Sequence, residues 1–108
     1  MKLFVDDIRD LPEDKQDWTL IRTPQEAVDL IAKGEVTHIS LDHDLAAFTA
    51  DGKEITGYAV ALFLSTAVEL QKVQVPQEML CHSDNPPGRE AIYSVFDGIR
   101  RRQEKKQG

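Results

Sequence analysis

The sequence has few of the residues that build disulfide-rich, fibrous or membrane-embedded proteins. Its 108 residues include one cysteine, Cys81, which excludes an internal disulfide framework and a cysteine-based zinc site. Six glycines and five prolines are too few for a collagen-like or low-complexity chain. The longest apolar run, Tyr58 to Leu64, is too short to cross a membrane, and the N-terminal residues lack the pattern of a signal peptide. We therefore expect one folded domain in a reducing cytoplasm.

Basic residues are fewer than acidic residues and are unevenly distributed along the chain. The 13 Lys and Arg against 19 Asp and Glu give a net charge of −6, which disfavours extended binding along a nucleic-acid duplex. Residues 100–108 nevertheless carry five basic residues and one acidic residue. We therefore expect an α/β domain over residues 1–99 and a basic C-terminal helix end or tail over residues 100–108. The tail is either a solvated helix end or a segment that steers an anionic substrate.

Strand and helix patterns alternate along the chain. Short apolar runs predict strands over residues 3–5, 18–22, 36–41 and 79–82, with the second at an edge of the sheet. A capping box at Thr23 opens a helix that stops at Gly34. Two further helices are predicted, over residues 58–71 and after the turn at residues 83–88. Residues 6–17 predict an irregular loop or a single turn, and residues around Asp51 and Gly52 a loop. This pattern indicates an α/β fold with a parallel sheet.

Polar side chains follow three of the predicted strands, at the point where each strand ends. They are Asp6 and Asp7 after the first strand, Asp42, His43 and Asp44 after the third, and His82 and Ser83 after the fourth. The carboxyl edge of an open parallel sheet is where ligands bind. The convergence of these side chains therefore predicts a functional site at this edge.

The acidic residues at this edge predict a metal site. Asp6, Asp7 and Asp42 would bring carboxylates within a few ångströms of one another, which is unfavourable unless a cation neutralises them. Carboxylate oxygens suit Mg²⁺, which keeps several waters and often pairs with a substrate phosphate. We expect Mg²⁺ or another divalent cation at these three residues, and a proton-sharing acidic cluster is the alternative.

Two histidines flank the acidic residues. His43 and His82 lie at the ends of neighbouring strands, where an imidazole titrates near neutral pH and serves as general acid or base. With Asp42 they are the candidate catalytic residues. Metal ligation is the rival interpretation, although no His-x-x-x-His spacing supports a zinc site. His38 lies within a strand, and we expect it to be structural.

Three residues are candidates for binding a substrate phosphate. Ser83 and Asn85 precede the last helix, where short polar side chains and free backbone N–H groups form an anion pocket. Helix capping explains Asn85 equally well. Arg9, two residues after Asp7, is a candidate for a bidentate contact to phosphate oxygens.

Five short segments occur in the order found in a known family. They are Val5-Asp6-Asp7-Ile8-Arg9, Arg22-Thr23, Leu41-Asp42-His43-Asp44-Leu45, Gly57-Tyr58 and His82-Ser83-Asp84-Asn85-Pro86-Pro87-Gly88. The sequence resembles the cyclic-phosphate processing receiver domain family in these segments. The resemblance implies a three-layer receiver-like (flavodoxin-like) α/β fold, shortened to about four parallel strands with three helices, in which the receiver metal site is retained.

The resemblance also implies a function. The family is associated with phosphate or cyclic-phosphate ends in RNA repair, which favours a metal-dependent phosphoesterase acting on a nucleotide or RNA-end phosphate, with RNA-repair enzymes as partners. The sequence lacks counterparts of the first receiver helix and of the late lysine that contacts an acyl phosphate. Both losses weaken the first alternative, a phospho-acceptor signalling module with Asp42 as the acceptor. The second alternative is a non-catalytic module that binds phosphorylated ligands or a partner protein.

Overall fold

A computed structural model describes residues 1–107 of the chain. The central sheet contains four parallel strands in the order β2-β1-β3-β6: β1 (Lys2–Val5), β2 (Thr19–Ile21), β3 (His38–Leu41) and β6 (Glu78–Cys81). Two short strands, β4 (Ala47–Phe48) and β5 (Glu54–Ile55), form a separate antiparallel hairpin. The helices are α1 (Pro24–Ala32), α2 (Gly57–Glu69) and α3 (Pro86–Gln107). The predicted receiver-like α/β fold, with four parallel strands and three helices, is confirmed.

One face of the sheet forms the core. Leu3, Ile39 and Met79 lie side by side in the parallel register, and none of them is more than 1% exposed. Because side chains alternate across a strand, this set shares one face and packs against the buried sides of all three helices. The helix residues in this core are Ala27, Ile31, Val60, Ala61, Leu64, Ile92, Phe96 and Ile99.

The opposite face is covered by irregular chain. Phe4, in register with Ser40, points to this side, and the segment from residue 6 to residue 17 lies between β1 and β2. Within that segment the structure has a single 3-10 turn at Glu13–Lys15, as the sequence predicted. Trp18 then packs edge-on against His38, whose ring centroid is 5.9 Å away. The third layer is therefore this segment rather than a helix, as expected where the first receiver helix is missing.

Local sequence signals account for the helix ends. The Thr23 hydroxyl accepts the backbone N–H of Glu26 at 3.2 Å, and Gly34 ends the helix with a positive φ of 77°. The final helix begins at Pro86, inside the segment predicted as a turn, and continues to Gln107. Residues 100–107 are thus helical, and Gly108 lies outside the described residues. No helix in residues 1–107 combines the length and hydropathy of a membrane span.

The loop predicted around Asp51 and Gly52 is present, but it is the turn of a hairpin that the sequence did not predict. Residues on either side of it pair as the β4–β5 hairpin, with Gly52 at the turn in the left-handed region at φ 86°. Strands of two residues carry too little periodicity to be distinguished from a loop in the sequence.

Candidate metal centre at the sheet edge

The three predicted metal-ligating residues converge at one point. The chain passes from β1 to β2 on one side and later to β3 on the other, so the carboxyl ends of β1 and β3 form the topological switch point. Asp6 and Asp7 follow β1, and Asp42 follows β3. One carboxylate oxygen from each of the three lies within 4.8 Å of the other two. We refer to Asp6, Asp7 and Asp42 as the acidic cluster.

The donor set of the acidic cluster fits a hard divalent cation. Opposite ligands of an octahedral Mg²⁺ are about 4.2 Å apart, twice the usual Mg–O distance. Neighbouring ligands on the same octahedron are about 3.0 Å apart. The oxygens of the cluster span at most 4.8 Å, so side-chain adjustments that draw them together by up to about 2 Å would let them share one ion. Carboxylate oxygens are also the ligands that Mg²⁺ prefers in proteins.

Asp6 is held rigidly in the ionised form. Its side chain is 1% exposed, and Oδ1 accepts the backbone N–H groups of Ile8 at 2.9 Å and Arg9 at 2.8 Å. Oδ2 lies 3.0 Å from Nε2 of His82. Burial alone raises the pKa of Asp6, but these three hydrogen bonds outweigh it and hold the pKa below its ordinary value.

The pKa of Asp42 is raised above its ordinary value. Burial and the nearby negative charge of Asp6 raise the pKa of Asp42, and the contacts with His82, His43 and Ser83 only partly offset them. Asp42 therefore holds its proton more tightly than an ordinary aspartate does. A cation bound between the two carboxylates would relieve this repulsion.

Two glycines let other elements approach the Asp42–His43 segment closely. The backbone N–H of Gly57 donates to the carbonyl of His43 at 2.9 Å. A Cβ atom at Gly57 would overlap the carbonyl oxygen of Asp42, and one at Gly88 would overlap the imidazole of His43. Both glycines occur in the segments that resemble the family, but their contacts could not be predicted from local patterns.

The His82 ring is fully engaged in the structure. Nε2 bonds to Asp6, Nδ1 lies 2.8 Å from the Ser40 hydroxyl, and the ring stacks on Phe4 with centroids 4.0 Å apart. Burial lowers the pKa of His82, although Asp6 acts in the opposite direction. A neutral ring that donates from Nε2 and accepts at Nδ1 satisfies all these contacts. In this arrangement His82 bonds to Asp6, and the buried Ser40, which no pattern in the sequence singled out, bonds to His82.

His43 has a different environment. Its Nδ1 lies 2.9 Å from Oδ1 of Asp44, and the ring packs against Gly88. Within residues 1–107, Nε2 of His43 has no hydrogen-bond partner, so this atom is available for proton transfer. Asp44 itself is exposed at the edge of the site. His38 bonds to Thr37 through Nδ1 at 2.9 Å and takes no part in this site.

The three candidate phosphate-binding residues already have partners. The Arg9 guanidinium donates to the carbonyl of His82 at 2.8 Å and pairs with the exposed carboxylate of Asp84. Ser83 is 3% exposed and accepts the N–H of Asn85 at 3.1 Å. Asn85 Oδ1 accepts the N–H of Gly88 at 3.1 Å, which makes Asn85 the N-cap of α3. This geometry favours the capping interpretation of Asn85 and leaves Arg9 as the more available phosphate ligand.

The acidic cluster opens into a groove of about 470 Å³, which we call the acidic groove. Its lining includes five carboxylates, and among residues 1–107 Arg9 is the only basic residue in it. Neither His43 nor His82 lines this groove. His82 instead borders a cleft on the face of the sheet that carries no helix. The complete lining is Asp6, Asp7, Ile8, Arg9, Asp42, Asp44, Ala46, Phe48 and Glu54. Phe48 and Glu54 were missed because the sequence did not reveal the β4–β5 hairpin.

The basic end of α3 points away from this site. The helix begins at Pro86 beside the acidic cluster and carries Arg102 sixteen residues further on. At 1.5 Å per residue the two positions are about 24 Å apart along the axis. That distance is about three Debye lengths at physiological ionic strength. We therefore expect little steering of a substrate by the residues beyond 100.

Comparison with known proteins agrees with the fold. A family model for the cyclic-phosphate processing receiver domain matches residues 1–98. Searches of curated proteins and of solved structures gave no significant match. The family model covers β1 to β6 and the first half of α3, including every residue of the acidic cluster. The chain therefore belongs to the cyclic-phosphate processing receiver domain family, and its membership implies a role in cyclic-phosphate processing on a receiver-like fold.

Proposed function

We propose that this protein is a metal-dependent phosphoesterase that opens the 2′,3′-cyclic phosphate of a nucleotide or RNA end. The observation that carries the proposal is the convergence of one oxygen each from Asp6, Asp7 and Asp42 within 4.8 Å. Family membership supplies the substrate chemistry, and the acidic groove supplies a reason why a cation is needed.

The charge of the acidic groove makes a metal ion necessary for a phosphate ligand. Five carboxylates and one arginine line the groove, so an anionic substrate is repelled unless cations offset the charge. Asp6, Asp7 and Asp42 would hold Mg²⁺ or another divalent cation. When bound, such an ion polarises a phosphoryl oxygen and neutralises the charge that develops in the reaction.

Ring opening requires proton transfers as well as charge neutralisation. Water adds to phosphorus, the bond from phosphorus to one ribose oxygen breaks, and the product is a phosphomonoester with a free hydroxyl. The attacking water loses a proton and the leaving ribose oxygen gains one. His43 is the candidate for one of these transfers, since Asp44 orients its Nδ1. Because His43 follows Asp42 directly but does not line the acidic groove, it would exchange this proton through a water molecule. Arg9 would exchange its contact with Asp84 for a phosphate oxygen.

His82 would act through Asp6. Both ring nitrogens are hydrogen-bonded, and the ring is stacked on Phe4, so its contacts favour orientation of a metal ligand over proton transfer. The proposal therefore assigns His82 a positioning role and keeps proton transfer for His43.

The direct test is release of phosphomonoester from nucleoside 2′,3′-cyclic phosphates with Mg²⁺ and with EDTA. We expect turnover only with the metal and its loss in Asp42→Ala and Asp7→Ala. Asp97→Ala removes an exposed acid on α3, outside the acidic groove, and serves as the matched control. Equal rates for wild type and Asp42→Ala would refute the proposal.

Phospho-acceptor signalling makes a different prediction for the same carboxylate. Incubation with a small-molecule phosphodonor, followed by intact mass measurement, detects a stable aspartyl phosphate. A stable gain of one phosphate that is abolished in Asp42→Asn would favour the signalling function. Binding of cyclic nucleotides without turnover, at any Mg²⁺ concentration, would favour a non-catalytic binding module.

A further inference from the structure

Two large apolar side chains are exposed on the wall of the acidic groove. Ile8 is 79% exposed and Phe48 is 61% exposed, and both line the groove together with the acidic cluster. Side chains at these exposures add little hydrophobic stabilisation to the fold. An aromatic ring beside a phosphate site is the chemistry by which proteins bind the flat faces of nucleobases.

Phe48 also forms part of a second, apolar cleft. This cleft has a volume of about 280 Å³ and lies between the β4–β5 hairpin, the start of α1 and the start of α2. In the described part of the chain, its lining contains no charged residue and only two polar ones, Thr23 and Gln25. The other residues beside Phe48 are Pro24, Val28, Ala47, Ile55, Ala59 and Val60. Phe48 therefore lies between a charged groove and an apolar cleft. A nucleotide likewise has a charged phosphate at one end and a flat base at the other.

The backbone just before Phe48 has an unusual conformation. Ala46, which also lines the acidic groove, has a positive φ of 49°, a conformation that residues with a Cβ adopt at a steric cost. This turn leads directly into β4 and places the hairpin beside the acidic cluster. Backbone conformations of this kind are concentrated at binding and catalytic sites.

We propose that Phe48, assisted by Ile8, binds the nucleobase of the substrate whose cyclic phosphate lies at the acidic cluster. This inference rests on the proposed phosphoesterase function and deepens it by assigning the residues that bind the base of the substrate. Every nucleobase has an aromatic face, so stacking on Phe48 favours a base without selecting among the bases.

The test compares a nucleotide with a substrate that lacks a base. KM is measured with Mg²⁺ for adenosine 2′,3′-cyclic phosphate and for glycerol 1,2-cyclic phosphate, which has the same reactive five-membered ring. The ratio of interest is the KM for adenosine 2′,3′-cyclic phosphate divided by the KM for glycerol 1,2-cyclic phosphate. Phe48→Ala should raise this ratio at least about fivefold, which is the lower end of the effect of removing a base-stacking aromatic residue. Phe48→Trp should keep the ratio near that of wild type. Leu70→Ala, at a position 62% exposed and outside both clefts, should leave both KM values unchanged.

The outcomes separate this inference from the function on which it rests. If wild type hydrolyses both substrates and Phe48→Ala leaves the KM ratio unchanged, base binding at Phe48 is refuted while the phosphoesterase stands. An equal rise in both KM values also refutes it, because the substitution has then disturbed the groove as a whole. A dimer that dissociates in Phe48→Ala, with an unchanged ratio, would identify the surface as a contact between copies. A wild-type protein that hydrolyses neither substrate overturns both proposals.

Discussion

Replacement of His82 by alanine separates orientation of a metal ligand from proton transfer. Asp6 is almost fully buried and would lose the hydrogen bond from Nε2, which is 3.0 Å long. Loss of a hydrogen bond to a buried charged group costs about 1.5–3 kcal/mol of unfolding free energy. Loss of an outer-shell partner of a metal ligand lowers metal affinity about 10- to 100-fold, or about 1.4–2.7 kcal/mol. We therefore expect His82→Ala to be less stable and to bind Mg²⁺ more weakly.

The assay is isothermal titration with Mg²⁺, combined with denaturant unfolding of the same samples. His38→Ala is the matched control, because His38 is also half-buried and bonded to a neighbouring hydroxyl but lies outside the site. It should retain wild-type Mg²⁺ affinity. Wild-type Mg²⁺ affinity in His82→Ala, combined with a large loss of kcat, would contradict the positioning role and restore His82 as a proton donor or acceptor.

The same residue predicts a pH dependence of stability. Burial lowers the pKa of His82, so the unfolded chain takes up a proton at this side chain more readily than the folded protein does. Its contribution is therefore lost as pH falls through the ordinary histidine value of 6.5. The pKa of Asp6 is also lowered, which adds a second loss of stability as pH falls below 3.8. The free energy of unfolding should fall in acid, and the part near pH 6.5 should be absent in His82→Ala.

Three other predictions concern packing and metal binding. Gly57→Ala should destabilise the protein by about 1–3 kcal/mol in thermal unfolding and weaken Mg²⁺ binding, because the added methyl group overlaps the Asp42 carbonyl. Gly98→Ala is the matched control, because a Cβ at Gly98 meets no atom within 4 Å. It should stabilise α3 by up to about 1 kcal/mol. Phe96→Ala should cost about 3–5 kcal/mol in denaturant unfolding, since Phe96 is 0% exposed, and a loss below about 1 kcal/mol would contradict its place in the core. Mg²⁺ affinity measured by titration should decrease as pH is lowered, because protons compete with the cation for Asp42, whose pKa is raised by burial and by Asp6. A pH-independent affinity in acid would contradict a role for Asp42 as a ligand.

The location of the site could be predicted because its residues interrupt apolar strands. Asp6 and Asp42 each follow a short buried run, and parallel strands bring their carboxyl ends to one edge. The second strand was predicted at an edge, and the structure adds the full order, in which β1 and β3 are neighbours at the switch point. The capping box at Thr23 likewise fixed the start of α1 through purely local hydrogen bonds.

The orientation of side chains within the site depends on tertiary contacts. His82 directly follows β6 and lies on the helix-free face with Phe4 and Ser40, whereas His43 lies one position further beyond the end of β3. The alternation of side chains separates the two rings, but the partners that each ring finds are set by tertiary contacts. The contact of Gly88 with His43 joins segments 45 residues apart and is equally invisible in local patterns.

The proposed reaction requires a divalent cation at the acidic cluster for opening of the cyclic phosphate. The most direct measurement is the rate of phosphomonoester release from adenosine 2′,3′-cyclic phosphate across a Mg²⁺ titration, alongside Mg²⁺ binding to the same protein. We predict that the rate rises with occupancy of a site that Asp42→Ala removes. A wild-type rate that is unaffected by EDTA, or that equals the rate of Asp42→Ala at every Mg²⁺ concentration, would contradict the account.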